Sequence, residues 1–125
     1  MFRGITPQLP VADVAAAQRW YHDVLGLEIA WTRGESFGAV RGRGIELYLA
    51  KSEAAHAPTV CCVLVDDADF AYAVCRERNA PIVEPISSTP WGTREFAFFD
   101  LDRNGLTFYR DLLPGEKRGD ATLRA

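Results

Sequence analysis

Val11-Ala12-Asp13-Val14 and Val65-Asp66-Asp67-Ala68 carry the same signal, the end of a strand followed by an aspartate placed to cap a helix. Gly44-Ile45-Glu46-Leu47-Tyr48 and Gly105-Leu106-Thr107-Phe108-Tyr109 repeat a second one, a turn glycine that opens a strand of alternating polarity. A recurrence of about 55 residues makes the chain a tandem of one supersecondary unit. Each unit reads as β-α-β-β-β, and any fold for this chain must contain that order twice.

The first unit opens with a strand over 5–11 that Pro7 and Pro10 make an edge or irregular one. Asp13 caps a helix whose apolar stripe is Val14, Ala17, Tyr21, Val24 and Leu25, and Gly26 ends it. Strands over 27–32, 36–40 and 45–50 follow, and 51–58 is a linker. In the second unit 59–65 is a strand, and Asp67 caps a helix with Phe70, Ala71, Val74 and Cys75 as its stripe. Asn79 stops that helix and 82–86 is a short strand. A Phe-rich hairpin completes the unit, 94–100 pairing with 106–109 across Asp102-Arg103-Asn104-Gly105, where Asn and Gly tolerate positive φ. A hairpin of this size needs a layer to pack on. The expected domain covers 1–112, with modules at 4–51 and 58–111, and 113–125 is a loosely ordered tail.

A formal net charge of −3 without a basic block excludes a sequence-independent grip on nucleic acid. No apolar run approaches the roughly 18 residues of a membrane span, and the N-terminus lacks a secretory signal, so a cytoplasmic protein is expected. Cys61, Cys62 and Cys75 have neither disulfide-framework nor zinc spacing and read as buried, reduced thiols. His22 and His56 lie in a helix and a loop, away from any thiol that would need a base.

Alternate residues of a strand share a face, so Glu46 and Tyr48 oppose the helix-packed Ile45, Leu47 and Leu49. By the same count Thr107 and Tyr109 oppose Leu106 and Phe108. Phe96 and Phe98 are expected to join Thr107 and Tyr109, with Thr6, Gln8, Val60 and Cys62 completing the set. Glu46, Gln8 and Thr107 are poor choices for a dry core. Aromatic walls with a few convergent polar groups describe a small-molecule pocket.

The runs Leu9-Pro-Val-Ala-Asp-Val14, Trp20-Tyr-His-Asp-Val-Leu-Gly-Leu27 and Val65-Asp-Asp67, with the hairpin, resemble the vicinal oxygen chelate superfamily of glyoxalases, dioxygenases and bleomycin-resistance proteins. The likeness covers residues 4–111, and Pro90-Trp-Gly-Thr-Arg-Glu-Phe-Ala97 is closest to the bleomycin-resistance branch. Asp100-Leu-Asp-Arg-Asn104 departs at two positions from that branch's Asp-Pro-Asp-Gly-Asn turn. The resemblance implies an α+β fold of paired βαβββ modules, a curved, partly open eight-stranded arrangement around a cleft. It also implies a homodimer whose grooves hold a cationic ligand without chemistry. The superfamily's metal-ligand positions correspond to Thr6, Val60 and Thr107, with Glu46 as a fourth in the glyoxalase-like members. That set does not hold a catalytic divalent ion in the usual way.

The expected function is therefore non-catalytic binding of a cationic or aromatic small molecule, with no cofactor, no metal and no membrane or nucleic-acid partner. Its binding residues are Trp91, Phe37, Glu46, Tyr48, Phe96, Phe98, Thr107, Tyr109, Gln8 and Cys62. Glu35 is a second candidate for meeting ligand charge, and Trp31 a candidate for the subunit interface. The alternative is a lyase, isomerase or dioxygenase-like enzyme on a small oxygenated substrate with Glu46 as base.

Overall fold

Both capping aspartates do their expected work. Asp13 Oδ1 accepts from the Ala16 amide at 2.9 Å and Asp67 Oδ1 from the Phe70 amide at 3.0 Å. They start helices α1 (Val14–Leu25) and α2 (Ala68–Glu77). Gly26, at φ 70°, closes α1 in the left-handed conformation that glycine adopts without strain. The strands are β1 (Gln8–Val11), β2 (Glu28–Arg33), β3 (Phe37–Gly42), β4 (Ile45–Lys51), β5 (Val60–Leu64), β6 (Ile82–Ser88), β7 (Thr93–Phe99) and β8 (Gly105–Asp111). The computed structural model describes residues 1–53, 56–57 and 59–120. Part of the expected linker, and the end of the expected tail from 121 to 125, lie outside the described residues.

The repeat read from the sequence is present as two βαβββ modules. Their sheets have the same order, β1-β4-β3-β2 and β5-β8-β7-β6. In each, the strand before the helix pairs in parallel with the module's last strand, and the other neighbours are antiparallel. The chain forms two compact units, Met1–Thr59 with Asp100–Asn104, and Val60–Phe99 with the chain from Gly105 onward. The first strand starts at Gln8, three residues later than expected, and leaves Thr6 exposed ahead of it.

In the first unit α1 sets Val14, Ala17, Tyr21 and Val24 over Leu9, Val11, Val40, Leu47 and Leu49, all buried. Fully burying one such side chain contributes about 1.5–3 kcal/mol. Gly38 permits the close approach of helix and sheet: a Cβ there would stand 2.7 Å from Gln18 Nε2 and 2.8 Å from Val14 Cγ1. In the second unit α2 buries Ala68 and Cys75, and Tyr72 meets Phe96 edge-on at 5.1 Å. Phe70, expected in that stripe, is 68% exposed, because the buried positions 68 and 75 set a face from which residue 70 is rotated away. Burial pushes the Cys75 thiol up to about 11, whereas Cys62, expected to be buried, is exposed.

The turn after β7 differs from the expected one. Its positive φ belongs to Arg103, at 65°, and Asn104 is fully buried instead. Asp100 is the reason. Its carboxylate accepts from the Tyr21 hydroxyl at 2.7 Å, from Asn104 Nδ2 at 2.9 Å and from the amides of Asp102 and Asn104 at 2.8 Å each. Asn104 also donates to the Pro10 carbonyl at 3.0 Å and accepts from the Thr59 hydroxyl. Asp102 Oδ1 accepts from the Ala12 amide at 2.8 Å, but Oδ2 is buried without a hydrogen-bond partner among the described residues. Desolvation raises the Asp102 pKa above its ordinary value of 3.8, opposed by the Ala12 hydrogen bond.

Residues 113–119, expected to be loose, carry several bonds. Glu116 pairs with Arg110 at 2.9 and 3.0 Å, Arg118 donates to the Pro90 carbonyl at 3.2 Å, and the Gly119 amide donates to Thr89 O at 3.2 Å.

Two stability measurements test these assignments. Tyr21→Phe should lower unfolding free energy in urea by about 1.5–3 kcal/mol, the range for a hydrogen bond to a charged group; a loss below 0.5 kcal/mol, on the same scale, would show that the Asp100 bond contributes little. Because the folded Asp102 pKa is raised, its contribution to stability falls as pH rises from 3.8 through the folded value. Asp102→Asn should therefore match or exceed the parent at pH 7, with the difference shrinking as pH falls towards 3.8.

Candidate functional site

Each sheet has one face against its helix and one turned from it, and strand register decides which residues occupy the second. In the first unit Gln8 pairs with Tyr48, Ala39 with Tyr48, Trp31 with Ala39, Arg33 with Phe37 and Arg41 with Glu46. All these side chains therefore share the face turned from α1. The expected Gln8, Phe37, Glu46 and Tyr48 are brought together there, and Trp31 joins them.

Trp31, Phe37 and Tyr48 form a triangle of rings. Their centroids are 5.4 Å (Trp31–Phe37), 5.5 Å (Trp31–Tyr48) and 5.4 Å (Phe37–Tyr48) apart, with planes inclined by 48–62°. A bulge in β2 between Ile29 and Trp31 gives Trp31 its place. Gln18, buried on α1, holds the bulge by donating through Nε2 to the carbonyls of Trp31 at 3.0 Å and Ala39 at 3.3 Å. Glu46 lies 3.9 Å from Arg41, both partly exposed, which is a weak pair. Glu35 is apart from this group. It lines a surface cavity of about 260 Å³ with Asp13, Thr32 and Lys51 at the start of α1.

In the second unit the register is Phe96 with Phe108, Phe98 with Leu106, Glu95 with Tyr109 and Ala97 with Thr107. Phe96 and Phe98, at 1% and 0% exposure, thus lie on the α2 face, opposite to their expected place. The connection 100–104 sets Phe99 against Gly105, and a register differing by one residue exchanges the two faces of a strand. Cys62, paired with Thr107, does share the other face with Thr107 and Tyr109, and Glu95 takes the place assigned to the phenylalanines. The polar–apolar alternation of Glu95, Phe96, Ala97 and Phe98 was the signal for this. It pairs correctly only when Leu106 and Phe108 are placed on the same side as Phe96 and Phe98.

Trp91 is 59% exposed on a hydrogen-bonded turn. Thr89 and Thr93 close it, the Thr89 amide donating to Thr93 O at 2.7 Å and the Thr93 amide to Thr89 Oγ1 at 3.0 Å. Gly92, at φ 98°, reverses the chain. The indole donates to Glu95 Oε1 at 3.2 Å, and Thr93 Oγ1 donates to the same oxygen at 2.6 Å. Nearby, Arg94 grips Asp69 through two bonds, 2.8 and 3.2 Å, which hold the Asp69 carboxyl below its ordinary value.

The residues at the superfamily's metal positions do not fit a divalent ion. Val60 offers no donor, Thr6 stands exposed ahead of β1 and Thr107 is a neutral hydroxyl, which leaves Glu46 as the single carboxylate of the set. Among the described residues no three His, Cys, Asp or Glu side chains come together, and no helix is long and apolar enough to cross a membrane.

The model of the glyoxalase/bleomycin resistance protein/dioxygenase superfamily matches residues 5–113, and the chain belongs to that superfamily. Among solved structures it resembles a bleomycin resistance determinant encoded on the transposon Tn5 (19% identity, 90% of this chain and 100% of that one, TM-score 0.79). It resembles a bleomycin-binding protein complexed with bleomycin (19% identity, 88% and 99% covered, TM-score 0.78). TioX from Micromonospora sp. ML1 is similar to the same degree (21% identity, 89% and 100% covered, TM-score 0.78). At these identities the matches show the fold alone. No curated protein sequence matches the chain.

The two aromatic sets should respond differently to truncation. Phe96→Ala should cost about 3–5 kcal/mol in urea unfolding, as core phenylalanines do, and Phe37→Ala should cost about 1 kcal/mol or less. Equal losses would contradict the placement of Phe96 in the core and Phe37 outside it.

Proposed function

We propose that the protein is a non-catalytic binder of a cationic, aromatic small molecule of the bleomycin type, acting as a homodimer. The carrying observation is the triangle of Trp31, Phe37 and Tyr48 on a sheet face turned from the helix, with Glu46 and Gln8 beside it. Aromatic rings bind planar ligands by stacking and cations by their quadrupole. Glu46 supplies a carboxylate for the ligand's charge. On the second unit Trp91 offers a further stacking surface already fixed by its turn and by Glu95. Preorganisation of this kind raises affinity because little freedom is lost on binding. Similarity in fold to a bleomycin-binding protein supports the ligand class. The donor-poor set Thr6, Val60 and Thr107 supports binding over metal-assisted chemistry.

A thermal-shift screen of metal-stripped protein tests the reading, with bleomycin, other cationic aromatic antibiotics and divalent metals in parallel wells. A ligand at about 100 times its Kd stabilises the folded state by about 2.7 kcal/mol. Trp91→Ala should weaken binding by about tenfold or more, as hot-spot tryptophans do. Glu46→Gln should weaken a cationic ligand and leave a neutral one nearly unchanged. Stabilisation by metals alone would overturn the proposal in favour of an enzyme that uses Glu46 as base. Light scattering that shows a monomer would remove the dimer.

A further inference from the structure

The aromatic triangle already carries a cation. The Arg33 guanidinium lies over the Trp31 ring, 5.3 Å from its centroid, and over the Phe37 ring at 5.8 Å. Arg33 ends β2, pairs with Phe37 across the strands, and is followed by the turn at Gly34, φ 61°. Its side chain is exposed, and among the described residues none of the ion pairs engages it. The stack on Trp31 and Phe37 is therefore the contact that places it, and cation–π contacts at exposed sites are weak enough to exchange.

We infer that Arg33 is an internal stand-in for the ligand, a planar cation that covers the Trp31–Phe37 surface and must swing away before a planar cationic ligand can stack there. This rests on the proposed reading of that face as a ligand surface. A guanidinium is flat, delocalised and weakly hydrated, so it matches amidinium, guanidinium and protonated heteroaromatic groups in shape and charge. Its presence has two consequences. Any ligand must displace it, which weakens binding for neutral and charged planar molecules alike. A cationic ligand meets its charge as well, so Arg33 sets a threshold that only ligands with more than one contact on the protein pass. Arg33 is in this sense a specificity-determining residue that disfavours small, singly anchored aromatics.

The test uses two planar probes of similar shape, proflavine, cationic at pH 7, and acridone, which is neutral. Each is titrated by fluorescence into the parent, Arg33→Met, Arg43→Gln and Trp31→Leu. Arg33→Met removes the guanidinium but keeps an apolar side chain on an exposed position, and an unchanged melting temperature verifies its fold. Arg43→Gln removes an equal charge at the β3–β4 turn, where it lies over no ring of the described residues. Arg33→Met should tighten proflavine by about fivefold or more and acridone by about twofold or more, the scale of losing one or two exposed cation–π contacts. Arg43→Gln should change neither, and Trp31→Leu should weaken both. A gain for proflavine alone would mean that Arg33 acts only by its charge, and overturns the stand-in. Binding by the parent that Arg33→Met leaves unchanged or weakens overturns it too, and spares the binding-protein reading. No binding by any variant removes that reading and this inference with it.

Discussion

A buried carboxylate, Asp100, holds the first unit together at a point where three separate stretches of chain meet. Tyr21 of α1, the strand end at Pro10 and Ala12, and the 100–104 turn are joined through Asp100, Asn104 and Asp102. A carboxylate at 2% exposure is tolerated only because four donors surround it. Such a network has little slack: each member depends on the others for its partners, and removing one strands the rest. It also fixes where β7 ends and β8 begins. Register in that hairpin, and with it the choice of face for every side chain in both strands, follows from this polar turn.

Two surfaces are set by polar bonds elsewhere in the chain. On the first sheet a bulge held by Gln18 sets Trp31 beside Phe37 and Tyr48. On the second, the Thr89–Thr93 turn presents Trp91 while Glu95 anchors its indole. In both cases a polar bond from a well-placed side chain positions an aromatic one. The arrangement suits recognition, in which rigid apolar area with a few charges is what affinity requires. It is poorly suited to the Lewis-acid chemistry of the superfamily's enzymes, because Val60 has no donor and Thr6 and Thr107 offer only neutral hydroxyls. Membership of the superfamily decides the fold and leaves the function to the residues on these faces.

Much was legible in the order of residues. The capping aspartates, the helix-ending glycine and the repeated strand-opening glycines are local signals, read from a few neighbours, and they yielded both helices, all the strands and the α+β class. Gln8, Glu46 and Tyr48 were placed on one face by alternation within their strands, and the register of β1 on β4 and β3 on β4 keeps them there, with Phe37 beside them. Phe96 and Phe98 were not. Their face depends on how many residues the 100–104 connection spends between paired positions, and that number is set by the bonds of Asp100 and Asn104 to α1 and β1, far away in sequence. The pairing of Glu95 with Tyr109 and the contact of Arg33 with Trp31 and Phe37 likewise required tertiary structure. A cross-strand pair and a cation over two rings exist only once register and a bulge are chosen, and both are non-local decisions.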